Sequence, residues 1–497
     1  VKLRTAVLAA TLAATSSVAG AVFAPIPDSR EDAARDPRVA AGAPDRSRFA
    51  VDQTVKLDAR LGHASIAKDG NGETYLFASL AGIDAQESAP PLDLAIVIDK
   101  SGSMKGERIA RAIDAGVGIA ERMRDGDTIT VVDFDTMAEV VVPPTKLTAR
   151  NRATVDAGIR GIRIGGDTCI SCGLETAAAQ LRAAPVFGDH VTRMIVLSDG
   201  ATNHGVTDMG GLRAIAARMR DRGCSITTIG VDVDFDEKVM AALATESNGR
   251  HYFVASAAGL PAIFSQEFDS LVASVAQDAE MTVELGPGVE VEQVFDRTFR
   301  REHGDAGERL VIPFGVLAAK QEKTALVKLR VPTDREGQTP VARVSVAYHD
   351  LLARTDRREQ GDLQLVVTGD GTAQAELDPL VAERVERSRT AETLTTANKL
   401  FEEGKFSEAT RELTGRIASL TTSAHRARSD TRVAADLDKQ LGAVAEAQAN
   451  FAPVATASAP VAGGAFGPTT NAAPAPPPRS ALEQVRKNQQ KAVDLSF

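Results

Sequence analysis

The sequence predicts an α/β protein: a doubly wound, mostly parallel sheet inserted in or flanked by a β-sandwich, with a helical segment towards the C-terminal end. Three observations predict it. Between residues 91 and 278, short apolar runs alternate with amphipathic helical patterns, the rhythm of parallel strands covered by helices on both faces. From 279 to 370 the pattern is all strand. Residues 371–450 are charged, rich in Ala and helical in period.

The 497 residues correspond to two to four domains at about 100–200 residues each. Hydrophobic residues make up 43% and charged residues 25%, which is enough apolar material for a true core. With 57 Lys+Arg against 67 Asp+Glu the net charge is −10, so no basic surplus neutralises phosphates and nucleic acid is not an expected partner. Three Cys exclude a disulfide-dense scaffold. Trp is absent and aromatics are 4%, which argues against a base-stacking platform.

Residues 1–24 begin with a basic stretch, Lys2 and Arg4, followed by small apolar residues from Thr5 to Val22. Ala19-Gly20-Ala21 and Val22-Phe23-Ala24 offer small-x-Ala cleavage sites. This is the pattern of a secretory signal peptide. Its many Ala, Ser and Gly residues favour cleavage over retention as an anchor. The mature chain is expected to be exported, periplasmic or extracellular at the cell surface, and without a transmembrane helix. Residues 25–50 lack apolar periodicity and read as a disordered linker.

Residues 51–90 hold two strand-like runs, 54–57 and 74–80, around an Asp69-Gly70-Asn71-Gly72 turn signal. Within 91–278, strands are expected at 94–98, 128–134, 139–142, 194–197, 225–231 and 252–254, and helices at 106–124, 149–160, 174–184, 208–222, 236–247 and 259–277. Strands follow at 280–285, 289–294, 308–313, 323–331, 341–348 and 362–367. In a doubly wound domain of this length the chain enters and leaves on one face, so the strands of 53–83 are free to join those of 280–367 in one sandwich. Within the helical segment, Gly404-Lys405-Phe406-Ser407-Glu408-Ala409 is similar to half of a tetratricopeptide unit, but one unit builds no solenoid, and a helical hairpin on the sandwich is expected. Residues 451–479 carry 7 of the 22 prolines and read as a linker, and 480–497 as a C-terminal tail able to form a short helix.

The first buried strand runs into Asp99-Lys100-Ser101-Gly102-Ser103-Met104. In open α/β sheets, ligands bind at the carboxyl ends of the strands, where this loop must lie. Asp99, Ser101 and Ser103 offer one carboxylate and two hydroxyls from a single turn, and Gly102 lets it fold closely. Gly165-Gly166-Asp167-Thr168 adds the hydroxyl of Thr168, and Ser198-Asp199-Gly200 adds the carboxylate of Asp199. These are all hard oxygens, which suit Mg²⁺ or Mn²⁺ better than Zn²⁺, with Ca²⁺ a further oxygen-seeking substitute.

On these residues the sequence resembles the von Willebrand factor type A domain. That family's metal-ion-dependent adhesion site has the pattern Asp-x-Ser-x-Ser, then Thr, then Asp, met here by Asp99, Ser101, Ser103, Thr168 and Asp199. Residues 200–208 are similar to the segment after the third motif in bacterial members. The resemblance covers roughly residues 91–278 and implies a Rossmann-like fold and a Mg²⁺ site that bridges to an Asp or Glu of a protein partner. The departure is at the second motif, where Thr168 is followed by Cys169-Ile170-Ser171-Cys172.

For Cys169 and Cys172, a thioredoxin-like pair lacks the right flanks, and a zinc knuckle lacks thiols, Cys224 being the only other. A local disulfide in an oxidising compartment is the favoured reading. Cys224 reads as a small core residue. Asp232-x-Asp234-x-Asp236-Glu237 has Glu where a calcium loop needs Gly, and reads as a solvated loop. Asp133 and Asp135 read as surface carboxylates, and His204 as a residue able to rim the site.

No nucleophile elbow or phosphate loop is present, which argues against an enzyme. The expected function is adhesion or scaffolding through Mg²⁺. The alternatives are a metal-dependent hydrolase, and an envelope structural protein whose metal only stabilises the fold.

Overall fold

The structure is a computed structural model and describes residues 45–85, 90–183, 190–232, 235–304, 307–369, 375–426, 431–457 and 479–496. The expected signal segment 1–24, and most of the segments 25–50 and 451–479, lie outside the described residues.

Four strands open the described chain: β1 (Arg48–Asp52), β2 (Val55–Leu61), β3 (Ser65–Ala67) and β4 (Glu73–Gly82). In β2, Val55, Leu57, Ala59 and Leu61 are buried and the residues between them are not, the period of two of a half-buried strand. β1 starts at Arg48, inside the segment expected to be linker, because Phe49 and Val51 alternate against the core below β2. The turn before β4 needs its glycine: Gly72 has φ +70°, and a Cβ there would sit 2.2 Å from the Val331 carbonyl oxygen.

The α/β domain follows, as β5 (Leu92–Asp99), α1 (Glu107–Arg122), β6 (Thr128–Phe134), β7 (Ala138–Lys146), α2 (Arg152–Arg160), α3 (Ile170–Ala183), β8 (Val191–Ser198), α4 (Met209–Arg220), β9 (Cys224–Val231), α5 (Glu237–Glu246), β10 (His251–Val254) and α6 (Leu260–Val272). The sheet order is β10-β9-β8-β5-β6-β7, parallel except for the β6–β7 pair. Every residue of β5 and β9 is buried, as continuous apolar runs require when helices cover both faces. One face packs α1, α2 and α6, the other α3, α4 and α5. The chain leaves β5 for β6 on one side and returns to β8 on the other, so the topological switch lies between β5 and β8.

β7 extends past the expected 139–142, and its Pro143 and Pro144 are tolerated because it is an edge strand. α6 stops at Val272, short of the expected 277. Leu271, Val272, Val275 and Ala276 mimic a helical stripe, but the last two begin a strand. Asp133, expected at the surface, is 4% exposed, because β6 lies between β5 and β7.

The sandwich is completed by β11 (Ser274–Leu285), β12 (Glu290–Phe295), β13 (Arg300–Gly304), β14 (Gly307–Ala318), β15 (Glu322–Arg330), β16 (Gly337–Asp350) and β17 (Thr355–Thr368). One sheet has the order β1-β2-β4-β15-β12 and the other β13-β14-β11-β16-β17-β3. β4 pairs antiparallel with β15, Phe77 opposite Leu326, so the α/β domain is an insertion into the sandwich. Both junctions meet one turn: Gly82 N–H donates to Gln321 O (3.0 Å), Lys320 N–H to Gly82 O (3.0 Å) and Ala319 N–H to Ala273 O (2.7 Å). β13 was not expected from its sequence, which is charged. It is held as a hairpin by Arg309–Glu302 (2.6 Å) and Arg301–Glu308 (3.0 Å).

Four helices end the described chain: α7 (Pro379–Glu402), α8 (Phe406–Arg426), α9 (Thr431–Ala457) and α10 (Arg479–Ser496). Asp378 caps α7 by accepting from the Leu380 and Val381 amides. Gly404, at φ +76°, turns α7 into α8. Val381 and Val385 pack on Phe77, Phe295 and Leu326 of the sandwich. α9 continues into the segment expected to be linker because Phe451 is fully buried and stacks on Phe401, centroids 4.1 Å apart. α10, expected as a tail, docks through Val485, Asn488 and Ala492, buried on one face. Arg486 Nη1 lies 2.5 Å from Glu237 Oε2, and the Phe253 amide donates to Gln490 Oε1 (3.0 Å).

Candidate metal centre

Asp99 ends β5 and Asp199 follows β8, so the switch point places both carboxylates at one crevice. Both are fully buried, Ser101 and Thr168 nearly so, and Ser103 is exposed. The Asp99 carboxylate accepts from the Ser101 amide (2.8 Å) and from Ser198 Oγ (2.5 Å). Ser101 Oγ and Ser103 Oγ lie 3.1 Å apart, and Ser103 Oγ donates to Asp199 Oδ1 (2.6 Å). A Cβ built on Gly200 would meet Thr168 Oγ1 at 3.4 Å and Ser103 Oγ at 3.5 Å, so both hydroxyls border one small space over Gly200. All five residues singled out by the sequence are thus brought together.

The loop bearing Thr168 is fixed from three sides. The Thr168 amide donates to Asn203 Oδ1 (2.9 Å), and Thr168 O accepts from the amides of Asn203 (2.9 Å) and His204 (3.2 Å). The Gly102 amide donates to Gly166 O (3.0 Å) and the Gly165 amide to Lys100 O (2.7 Å), stitching the first and second motifs together. Asp135 accepts from the Gly166 amide (3.0 Å), and a Cβ on Gly165 would overlap its carboxylate. Asp135 is therefore a support of the site, not a plain surface carboxylate. Cys169 and Cys172 are joined by a disulfide, Cα atoms 5.3 Å apart. Gly205, at φ +68°, packs against it, its missing Cβ 2.5 Å from Cys169 Sγ. Cys224 is buried and free, its thiol pushed up to about 12 by burial. His204 sits at the rim, 3.7 Å from Asp167.

Three supporting residues escaped the sequence reading. Ser198 anchors Asp99. Arg108, from the first turn of α1, donates through Nη1 to Asp199 Oδ2 (2.5 Å) and to Ser103 O (3.1 Å). Its other nitrogen, Nη2, donates to Asp232. Asp232, expected in a solvated loop, is therefore part of the site's rim. Lys100 Nζ lies 3.0 Å from the buried Asp133 and 3.2 Å from Glu139, which holds the first loop against β6 and β7.

Burial, with a smaller contribution from the Asp199 charge, pushes the Asp99 carboxyl up to about 6 against the hydrogen bonds from Ser101 and Ser198. Asp199 is paired with Arg108 while Asp99 has neutral donors alone, so the two buried carboxylates together keep a surplus negative charge that a divalent cation would answer. The donors are two carboxylates and three hydroxyls, a hard-oxygen set that fits Mg²⁺. Among the described residues no group of three or more His, Cys, Asp or Glu side chains is arranged to hold a metal ion, so the hydroxyls of Ser101, Ser103 and Thr168 are needed to complete the donor set.

Residues 93–266 match the family model of the von Willebrand factor type A domain. The chain contains a von Willebrand factor type A domain. The type A domain and its surroundings are similar to two solved structures. A von Willebrand factor type A protein from Catenulispora acidiphila matches with a TM-score of 0.64 at 18% identity, covering 81% of this chain and 91% of that one. The ArnB paralog VWA2 from Sulfolobus acidocaldarius matches with a TM-score of 0.53 at 17% identity, covering 79% and 98%. These likenesses extend beyond the type A domain and concern the fold. In sequence, the uncharacterized protein sll0103 of Synechocystis sp. is 24% identical over 314 residues, 62% of this chain and 73% of its own.

Proposed function

We propose that the protein is an exported, non-enzymatic binding protein that captures an Asp or Glu of a protein partner through Mg²⁺. Asp99, Ser101, Ser103, Thr168 and Asp199 would hold the ion, and Mn²⁺ or Ca²⁺ would suit the same donors. The observation that supports this reading is the convergence of two buried carboxylates and three hydroxyls at the switch point of the sheet. A bound Mg²⁺ supplies a water-filled coordination position that a carboxylate can take. The chain's own part is to fix the donors before a partner arrives. β5 and β8 set the two carboxylates, and the stitched loops 100–104 and 165–168 set the hydroxyls.

Export rests on the pattern of residues 1–24 and would place the mature chain in the periplasm or at the cell surface. Among the described residues no helix is long and apolar enough to cross a membrane.

A structural role in an envelope assembly, with the metal only stabilising the fold, is a second reading. One observation favours it: the site's polar groups bond to one another, Ser198 to Asp99, Ser103 to Asp199 and Arg108 to Asp199, and so tie β5, β8 and α1 together. The hydrolase alternative needs a general base or second metal beside the first, and His204 at the rim is paired with Asp167 instead.

The deciding experiment is a pull-down from envelope extract with residues 25–497 as bait, in Mg²⁺, in EDTA, and with Asp99→Ala. A partner retained only by the wild type in Mg²⁺ is the expected result. Equal recovery in all three moves the binding function to the sandwich or the C-terminal helices.

A further inference from the structure

The least expected group at the centre is a cation that belongs to the chain. The guanidinium of Arg108 reaches the fully buried Asp199 from the first turn of α1, and its other arm holds Asp232 at the end of β9. The Arg108 side chain is about one-quarter exposed while the carboxylate it holds is fully buried. It also donates to the carbonyl of Ser103, the residue whose hydroxyl occupies the other oxygen of Asp199. Each oxygen of Asp199 thus already accepts a hydrogen bond, one from Ser103 and the other from Arg108.

Resting on the metal-site reading above, we infer that Arg108 is a built-in competitor of the divalent cation for Asp199, and that Asp232 sets the strength of the competition by drawing the guanidinium away. A fixed positive charge beside an ion-binding carboxylate opposes a second positive charge there. Asp232 shares that charge. With both residues in place the affinity is held at an intermediate level, and the ion leaves more readily than two carboxylates and three hydroxyls alone would allow.

The two partners of the clamp must then act in opposite directions. Arg108→Gln keeps a side chain of similar reach and removes the charge, so the cation should bind at least about tenfold more tightly. Asp232→Asn leaves Arg108 wholly on Asp199, so the cation should bind about threefold or more weakly. The probe is Mn²⁺, titrated into the full chain and followed by the electron paramagnetic resonance signal of the free aquo ion, with Asp99→Ala as control. Circular dichroism melts in EDTA establish that each variant folds.

A residue that merely props up the loop would weaken binding in both variants. That outcome, or no change in either, overturns the inference while leaving the metal site standing. Absence of Mn²⁺ binding by the wild type, or unchanged binding by Asp99→Ala, removes the metal-site reading and the inference with it.

Discussion

Ser198, the last residue of β8, donates its hydroxyl to the carboxylate of Asp99, the last residue of β5, at 2.5 Å. Neither group has access to bulk water. The bond joins the two strands that flank the switch point and orients a carboxylate that burial would otherwise leave poorly compensated.

Ser198→Ala should therefore lower stability in EDTA by about 1–3 kcal/mol, the effect of stripping one partner from a buried carboxylate. Urea denaturation followed by circular dichroism measures it. A change within error would show that Asp99 finds another donor.

Cation binding should stabilise the fold, by about 2.7 kcal/mol at a hundredfold excess over the dissociation constant. Melting temperatures of wild type and Asp99→Asn, each with Mg²⁺ and with EDTA, test this. The wild type should shift and the variant should not.

The Cys169–Cys172 bridge closes a small ring, sequence separation 3. Replacing both residues by Ser should cost at most about 2 kcal/mol globally. Gly205→Ala should cost about 1–3 kcal/mol, because it adds a side chain at positive φ against that bridge. Free-thiol titration of the denatured, unreduced protein should find one thiol, Cys224. Three reactive thiols would defeat the disulfide.

Glu237 offers a pH test. Burial raises its carboxyl from 4.5 to about 7, and the pairing with Arg486 of α10 offsets only part of that rise. A pKa higher in the folded state contributes stability that is full below about 4.5 and is lost as pH rises through about 7. Other groups move in the same range, notably His251, which is held neutral with its pKa lowered to about 3. The measurement is therefore the stability of the wild type relative to Glu237→Gln. This difference should fall by up to about 3 kcal/mol between pH 4.5 and 8. A flat difference would mean the carboxyl is already ionised against Arg486.

What the sequence made legible was whatever depends on local order. The apolar run of β5 followed by Asp99, and the spacing to Ser101 and Ser103, placed three donors on one turn. Thr168 and Asp199 followed from the strand–helix rhythm. What it hid depends on contacts distant in sequence. Arg108 meets Asp232 across 124 positions, and nothing near Arg108 signals that. Asp133 looked like a strand-end surface group because its burial comes from the flanking strands and its charge is answered by Lys100. β13 carries no apolar alternation at all, since charge pairs across the hairpin hold it. The start of α10 and its docking face were obscured by the Pro-rich stretch before it, which says nothing about where a polar helix comes to rest.

The insertion has a mechanical consequence. β4, which leads into the type A domain, lies in one sheet of the sandwich, and β11, which leads out, lies in the other. Traction on anything gripped at the crevice would divide between two strands, one in each layer. Each is flanked on both sides by antiparallel neighbours whose hydrogen bonds run across the strand. A load along such a strand is borne by many bonds in shear at once, not by one bond at a time, and the turn at residues 318–321 ties the two attachment points together. The sandwich therefore serves as a two-point mount for the domain it carries.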